Sequence, residues 1–306
     1  MKQETLKKFL KPIAQILGFV LVILAIYYAT HDLTLDIFKS ITPTQFFLLI
    51  IAVFFNLILT TFLFHIITKS FRTTSPVSYP LMFKLIAFSS LLNYIPLIRP
   101  GLWGRAAYLK TSHQLELKDS LLTLGIIFAI SIFVFFPTAS ILLLALANEL
   151  PSHLINITLL TTFIVLTLIP SFLKPLIRRL LLSRPTQITT PYLWLLLKII
   201  DMLVASFRLY IAFQVLGSPI SYHVALLATS ASLFVKLLGL TPNGLGLSEW
   251  TVAALTAIAS PVTAATGAAA ALIDRAAEIL VTLPLGLISV YQLRNIAPKQ
   301  QDQKGK

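Results

Sequence analysis

Four ionisable side chains stand in or beside apolar sequence in the last third of the chain: Lys236, Glu249, Arg275 and Glu278. A charge inside a membrane-spanning segment is costly, so it ordinarily faces water or a partner. Two cations and two carboxylates in adjacent segments allow two arrangements. In the first, the cations hold an anion such as a phosphate, Lys as a point charge and Arg as a planar fork, and the carboxylates balance them. In the second, all four are ion pairs that lock neighbouring helices together. Asp274 and Glu278 share a helix face at i,i+4, and Arg275 can pair with Glu278 at i,i+3. Asp201 and Arg208 lie about two turns apart on one face. Asp201 reads as structural, and Arg208 fits either role. Earlier in the chain, Arg99 and Arg105 flank a turn where positive-inside charge, headgroup contact and substrate contact explain them equally well.

Other chemistries find no residues. The five histidines show no metal-ligand spacing, so no metal is expected. There is no cysteine for thiolate chemistry. No phosphate-binding P-loop sequence is present. Ser248 precedes Glu249 but lacks the G-x-S-x-G setting of a hydrolase nucleophile. No catalytic residue and no cofactor is assigned, and the expectation is a protein that binds rather than an enzyme.

The candidate residues converge on one stretch, K-L-L-G-L-T-P-N-G-L-G-L-S-E at 236–249. Apolar helix-forming sequence precedes it (225–235) and follows it (250–259). Thr241, Pro242, Asn243, Gly244 and Gly246 cannot continue a regular helix, and Lys236 and Glu249 bracket the break with opposite charges. Gly244 and Gly246 let backbone approach a ligand, and Asn243 adds an amide. The surroundings decide what such a break means. The chain is 57% hydrophobic and 11% charged, where soluble domains carry about 25% charged residues. Several apolar runs reach the roughly 20 residues that cross a bilayer. Broken backbone at membrane depth survives only when buried in protein or lining a wet cavity, and half-helix ends meeting there build sites for anionic substrates.

Six full spans are expected, at 13–29, 46–68, 121–147, 154–173, 194–216 and 263–290, the last kinked by Pro284. The first, behind Lys2, Lys7, Lys8 and Lys11, reads as an uncleaved span. A second broken apolar segment, 79–105, lies between the second and third spans. Of the 24 Lys and Arg, twenty fall in the N-terminal segment, 69–118, 174–198 and the tail. By the positive-inside rule these are cytoplasmic, and so are both termini. Topology thus explains the net charge of +13 without nucleic acid. Segment 79–105 must then enter and leave from the cytoplasm, and 222–259 from the opposite side. The expected fold is an all-α polytopic integral membrane protein forming one domain over 1–306. Six spans and two re-entrant hairpins make an inverted repeat, with halves at about 10–150 and 151–295 and a polar tail at 296–306. Eight full spans satisfy the same charge counts.

Three motifs carry a resemblance. N-Y-I-P-L-I-R-P-G-L-W-G-R-A-A-Y-L-K at 93–110, T-P-N-G-L-G-L-S-E at 241–249, and A-L-I-D-R at 271–275 with Pro284 and Gly286 downstream resemble, in order, the motifs of the lysylphosphatidylglycerol synthase transmembrane, or flippase-like, family. The resemblance covers essentially the whole chain. It departs at Gly104-Arg105, where the family's Glu is missing, and at Asn243, which replaces the first Gly of a P-G-G. The 306 residues hold no counterpart of the soluble aminoacyl-transfer domain of bifunctional members, so lysyl transfer is not expected to carry over. The resemblance implies movement of an anionic phospholipid or lipid-linked intermediate between leaflets of the inner (cytoplasmic) membrane. Two other classes compete: a non-transporting partner of envelope-biosynthesis enzymes, and a membrane-embedded transferase acting on lipid-linked sugars. For the last, every loop is short and Asp32 and Asp36 are the only close acidic pair in the first outer loop.

Overall fold

The structure, a computed structural model, describes residues 20–27, 42–71, 75–94, 100–181 and 191–296. All regular structure among them is helical. Residues 20–27 are helical and fall within the expected first span. Nine α-helices follow among the described residues: α1 Pro43–Thr68, α2 Tyr79–Leu92, α3 Pro100–His113, α4 Leu117–Ala147, α5 Ser152–Leu181, α6 Pro191–Val215, α7 Tyr222–Leu238, α8 Leu247–Ala259 and α9 Ala264–Ile296. Pro43 opens α1 after an extended Thr42, and a Pro in the first turn of α2 follows an extended Ser78. Proline there gives up no hydrogen bond. Ser221 caps α7 by accepting from the Val224 amide at 3.3 Å. The sequence ends α5 too early, and α9 runs on as one helix through Pro284.

Three described helices are long and apolar enough to cross a membrane: α1, α4 and the Ala264–Arg294 part of α9. Large apolar side chains such as Phe47, Phe133, Leu160 and Leu280 are exposed on the outside, as lipid contact requires. The protein is a multi-pass membrane protein. Two helix pairs are built of shorter helices. The 14 residues of α2 and of α3 span about 21 Å each at 1.5 Å per residue, against a hydrocarbon core of about 30 Å. The 17 residues of α7 and 13 of α8 pack against each other as a second hairpin.

The packing is exchanged between the halves. Helix α1 packs along α6, α2 of the first hairpin packs on α9, and α7 of the second hairpin packs on α4. Glycines mark the close approaches, as small residues do where membrane helices touch. Gly286 of α9 faces Leu91 and Ala87 of α2, and Gly267 of α9 faces Ala253 and Thr256 of α8. Within the first hairpin, Gly101 lies against the backbone of Ser89. The Ser89 hydroxyl reaches the Gly101 carbonyl at 2.8 Å. Helix α9 therefore touches both hairpins.

Candidate functional site

The break at the tip of the second hairpin has the expected form. Helix α7 ends at Gly239 in the left-handed region (φ 65°). A single 3-10 turn, Pro242–Gly244, follows, and α8 starts after Gly246 (φ 79°). Asn243 has φ 48°, a conformation that Asn tolerates better than most residues. That explains why Asn can stand at this left-handed position of the turn. Gly244 (φ 71°) lies under Lys236, and a Cβ there would come within 2.5 Å of the lysine Cγ. The turn therefore needs Gly244 for conformation and for the room that Lys236 occupies.

In the first turn of α8, Glu249 is 1% exposed and forms an ion pair with Arg275 Nε of α9. Ser248 joins the two, donating to Glu249 Oε2 at 3.0 Å and accepting from Arg275 Nη2 at 2.8 Å. The same Nη2 reaches the Asn243 carbonyl at 3.5 Å. The other terminal nitrogen, Nη1, is buried and has no partner among the described residues.

One turn further along α9, Glu278 accepts from Tyr94 Oη at 2.9 Å and from Arg208 of α6 at 3.3 Å. Arg208 also grips Asp274 with two nitrogens, at 2.9 and 3.0 Å. Its remaining terminal nitrogen donates to Asn56 Oδ1 of α1 at 2.8 Å. The Asn56 amide in turn donates to Asp201 at 2.6 Å. Asp201 is also held by Thr60 at 3.2 Å and by Lys198 at 2.7 Å. One hydrogen-bonded chain thus runs from Lys198 on α6, through α1 and back to α6, to Tyr94 at the end of α2.

These groups line a cavity of about 260 Å³, walled by α1, α2, α6, α7, α8 and α9. Four cations line it (Lys198, Arg208, Lys236, Arg275), and so do four carboxylates (Asp201, Glu249, Asp274, Glu278). Of the residues expected at the site, Arg208, Lys236, Asn243, Glu249, Arg275 and Glu278 all reach this cavity. Gly244 and Gly246 shape the backbone beside it. Arg105 does not join them. It is buried on α3 with its guanidinium 3.9 Å from the Phe64 ring centroid. The reason is azimuthal: its helix turns it toward α1 rather than toward the centre. Arg99 and Pro96 lie outside the described residues, as do the ends of the first span, Arg184 and the tail from 297.

The pairings differ from those the spacing suggests. Glu249 pairs with Arg275, and Glu278 pairs with Arg208 rather than with Arg275. Residues at i,i+3 diverge by about 60° around a helix. Arg275 can therefore face α8 while Glu278 faces α6. Lys236 is the lining cation with no anionic partner within 4.0 Å among the described residues. Four further groups escaped the sequence reading as site residues: Asn56, Lys198, Ser248 and Tyr94. Asn56 did carry a signal, as the amide in the middle of an apolar span.

A helical, multi-pass membrane protein with a charge-lined chamber at its centre is the class that fold and cavity define. The chain matches the model of the lysylphosphatidylglycerol synthase TM region over residues 15–286 and belongs to that family. No curated protein and no solved structure matches it. Two of the three motifs that suggested the family contribute to the chamber, through Asn243, Glu249 and Arg275. The first ends α2, where Tyr94 binds Glu278.

Proposed function

We propose that the protein carries the headgroup of an anionic phospholipid, or of a lipid-linked intermediate, between the leaflets of the cytoplasmic membrane without covalent chemistry. The observation that carries this reading is Arg275 Nη1, a buried donor with no protein partner among the described residues, in the same cavity as Lys236. A buried donor without an acceptor is costly. A phosphate oxygen would relieve that cost while exchanging its water for fixed cations. The Ser248 hydroxyl donates to Glu249 and accepts from Arg275, so it is held as a bridge within the ion pair, which favours binding and transport over transfer.

The reading includes re-entrant hairpins in an inverted repeat. Supporting it, α2 on α9 and α7 on α4 are equivalent contacts if the second half repeats the first, and α1 on α6 is then the contact across the pseudo-axis. Tyr94 and Asn243, one from each hairpin tip, meet α9 within one turn of each other. Such a repeat with a polar site at its centre is a common plan for transporters. With the basic segments cytoplasmic, both termini face the cytoplasm. Single-cysteine labelling at Asn148 from the outside only would agree with this, and the cysteine-free chain makes that measurement clean.

The test is leaflet exchange of an acyl-labelled phosphatidylglycerol in liposomes holding the purified protein. Exchange by wild type and its loss in the folded fraction of Arg275→Gln is the expected result, with a lower unfolding midpoint because Glu249 loses its buried partner. Normal exchange by the variant removes the substrate role of Arg275. A folded wild type that exchanges nothing overturns the transport reading in favour of a partner of envelope enzymes. Formation of a new product favours a transferase.

A further inference from the structure

The chamber's charges balance, but its carboxylates are not held equally firmly. Four cations face four carboxylates among the described lining residues. Glu249 is buried and locked by Arg275 and Ser248. Asp201 is buried and held by Lys198, Asn56 and Thr60. The Asp274 side chain is 21% exposed and takes two nitrogens of Arg208. Glu278 is the most open of the four, with its side chain 26% exposed. One of its oxygens meets a single Arg208 nitrogen at 3.3 Å, and the other meets the neutral hydroxyl of Tyr94. Lys236, reaching in from α7, supplies the positive charge that these contacts leave short. It forms no ion pair within 4.0 Å among the described residues, and Glu278 is the carboxylate whose charge it feels most. Arg275 and Asp274 on the same helix, with Glu249 from α8, complete the charged groups around Glu278.

We infer that Glu278 is a proton site, and that an anionic headgroup occupies the chamber together with one proton, which Glu278 takes. This rests on the transport reading and adds to it the ion that moves with the lipid. The empty chamber is neutral by formal charge. A phosphodiester adds one negative charge and draws on Lys236 and Arg275, so Glu278 loses the cation that balanced it. An uncompensated charge in a low dielectric is costly. A proton from water, reaching Glu278 through the cavity, forms an O–H bond on Oε2 and restores neutrality; no other covalent bond forms or breaks. Tyr94 goes on donating to Oε1. Arg208 keeps Asp274 and Asn56 when it lets Glu278 go. Headgroup and proton therefore favour each other's binding, by the reciprocity of linked equilibria. The chamber is neutral both empty and loaded, so movement responds to a pH difference and not to a membrane potential.

The experiment counts protons and lipids separately. Purified protein in weakly buffered micelles is titrated with acyl-labelled phosphatidylglycerol, and proton uptake is followed with a pH indicator from about pH 5 to 9. The expected result is uptake approaching about one proton per lipid bound within that range, with affinity falling about tenfold per pH unit as the pH rises through it. Glu278→Gln should bind the lipid with no uptake and with an affinity indifferent to pH. In proteoliposomes, a pH difference should enrich the lipid in the leaflet facing the alkaline side, and a potassium diffusion potential should have no effect. Lipid binding by wild type without proton uptake overturns the inference and leaves transport standing. So does uptake that persists in folded Glu278→Gln, or movement driven by the potential. Uptake with binding but without movement supports the inference and overturns transport. No binding of the lipid overturns both. The wild-type counts decide the matter if the variant does not fold.

Discussion

The two hairpins have similar dimensions and different employment. The first, α2 and α3, is held shut by its own backbone. Gly101 lies on Ser89, and the Ser89 hydroxyl spans to the Gly101 carbonyl at 2.8 Å. Its charge, Arg105, stacks on Phe64 away from the chamber, and its contribution to the chamber is Ser90 in the wall and the Tyr94 hydroxyl on Glu278. The second, α7 and α8, opens at its tip into left-handed and 3-10 turns and sends Lys236, Asn243, Ser248 and Glu249 into the chamber. Similar lengths in similar places therefore do not imply similar work. The first hairpin lends the chamber a wall, and the second lines it with charge.

If that contrast is right, substitutions in the second hairpin should disturb binding, and those in the first should disturb only assembly. The largest effect is expected from Glu249→Gln. Breaking a buried pair on one side leaves Arg275 uncompensated, at about 3–5 kcal/mol. A fall in the detergent unfolding midpoint together with lost lipid exchange checks it. An unchanged midpoint would mean that the pair is not structural. Next is Gly101→Ala. Its new Cβ meets Ser89 backbone, which cannot swing aside, and overpacking costs about 1–3 kcal/mol. Reduced yield and midpoint should accompany near-normal exchange per folded molecule. Loss of exchange in the folded fraction would break the contrast. Smaller again is Arg105→Gln, which gives up the stacking on Phe64, worth about 0.5–2 kcal/mol. It should leave lipid affinity unchanged, and a weakened titration would return Arg105 to the site. The smallest effect belongs to Asn243→Gly. Glycine adopts φ 48° freely, and Asn243 binds Arg275 through its main-chain carbonyl. Stability and exchange should both stay near wild type. A large loss of exchange would give the amide side chain a role of its own.

Much of this arrangement was legible before any coordinates. Pro242, Asn243, Gly244 and Gly246 declare the break through backbone chemistry alone, which is local and so readable. The spans declare themselves by apolar length, and α1, α4 and α6 begin within a few residues of where composition puts them. What the sequence hides is direction around each helix axis. Arg105 and Arg275 look alike as arginines near apolar segments. One turns toward a phenylalanine and the other toward a glutamate, and only the packing of neighbours decides which. The hidden partners have the same cause. Asn56 sits 152 positions from Arg208, and nothing local to α1 indicates that its amide will join Arg208 to Asp201. Ser248 reads as a failed nucleophile, yet it works as a spacer between Arg275 and Glu249.

The glycine contacts of α9 have a mechanical consequence. Gly267 and Gly286 seat the second and first hairpins on this helix. They stand nineteen residues apart, roughly 28 Å at helical rise, close to the thickness of the hydrocarbon layer. Midway between them lies the turn carrying Arg275 and Glu278. A rod held at both ends, with its load at the centre, has a natural fulcrum there. Tilting α9 about that turn would swing its two seats in opposite directions across the bilayer while the charged middle barely moved. The helix is proportioned as a balance beam, with the chamber's charges at the pivot and one hairpin on each arm.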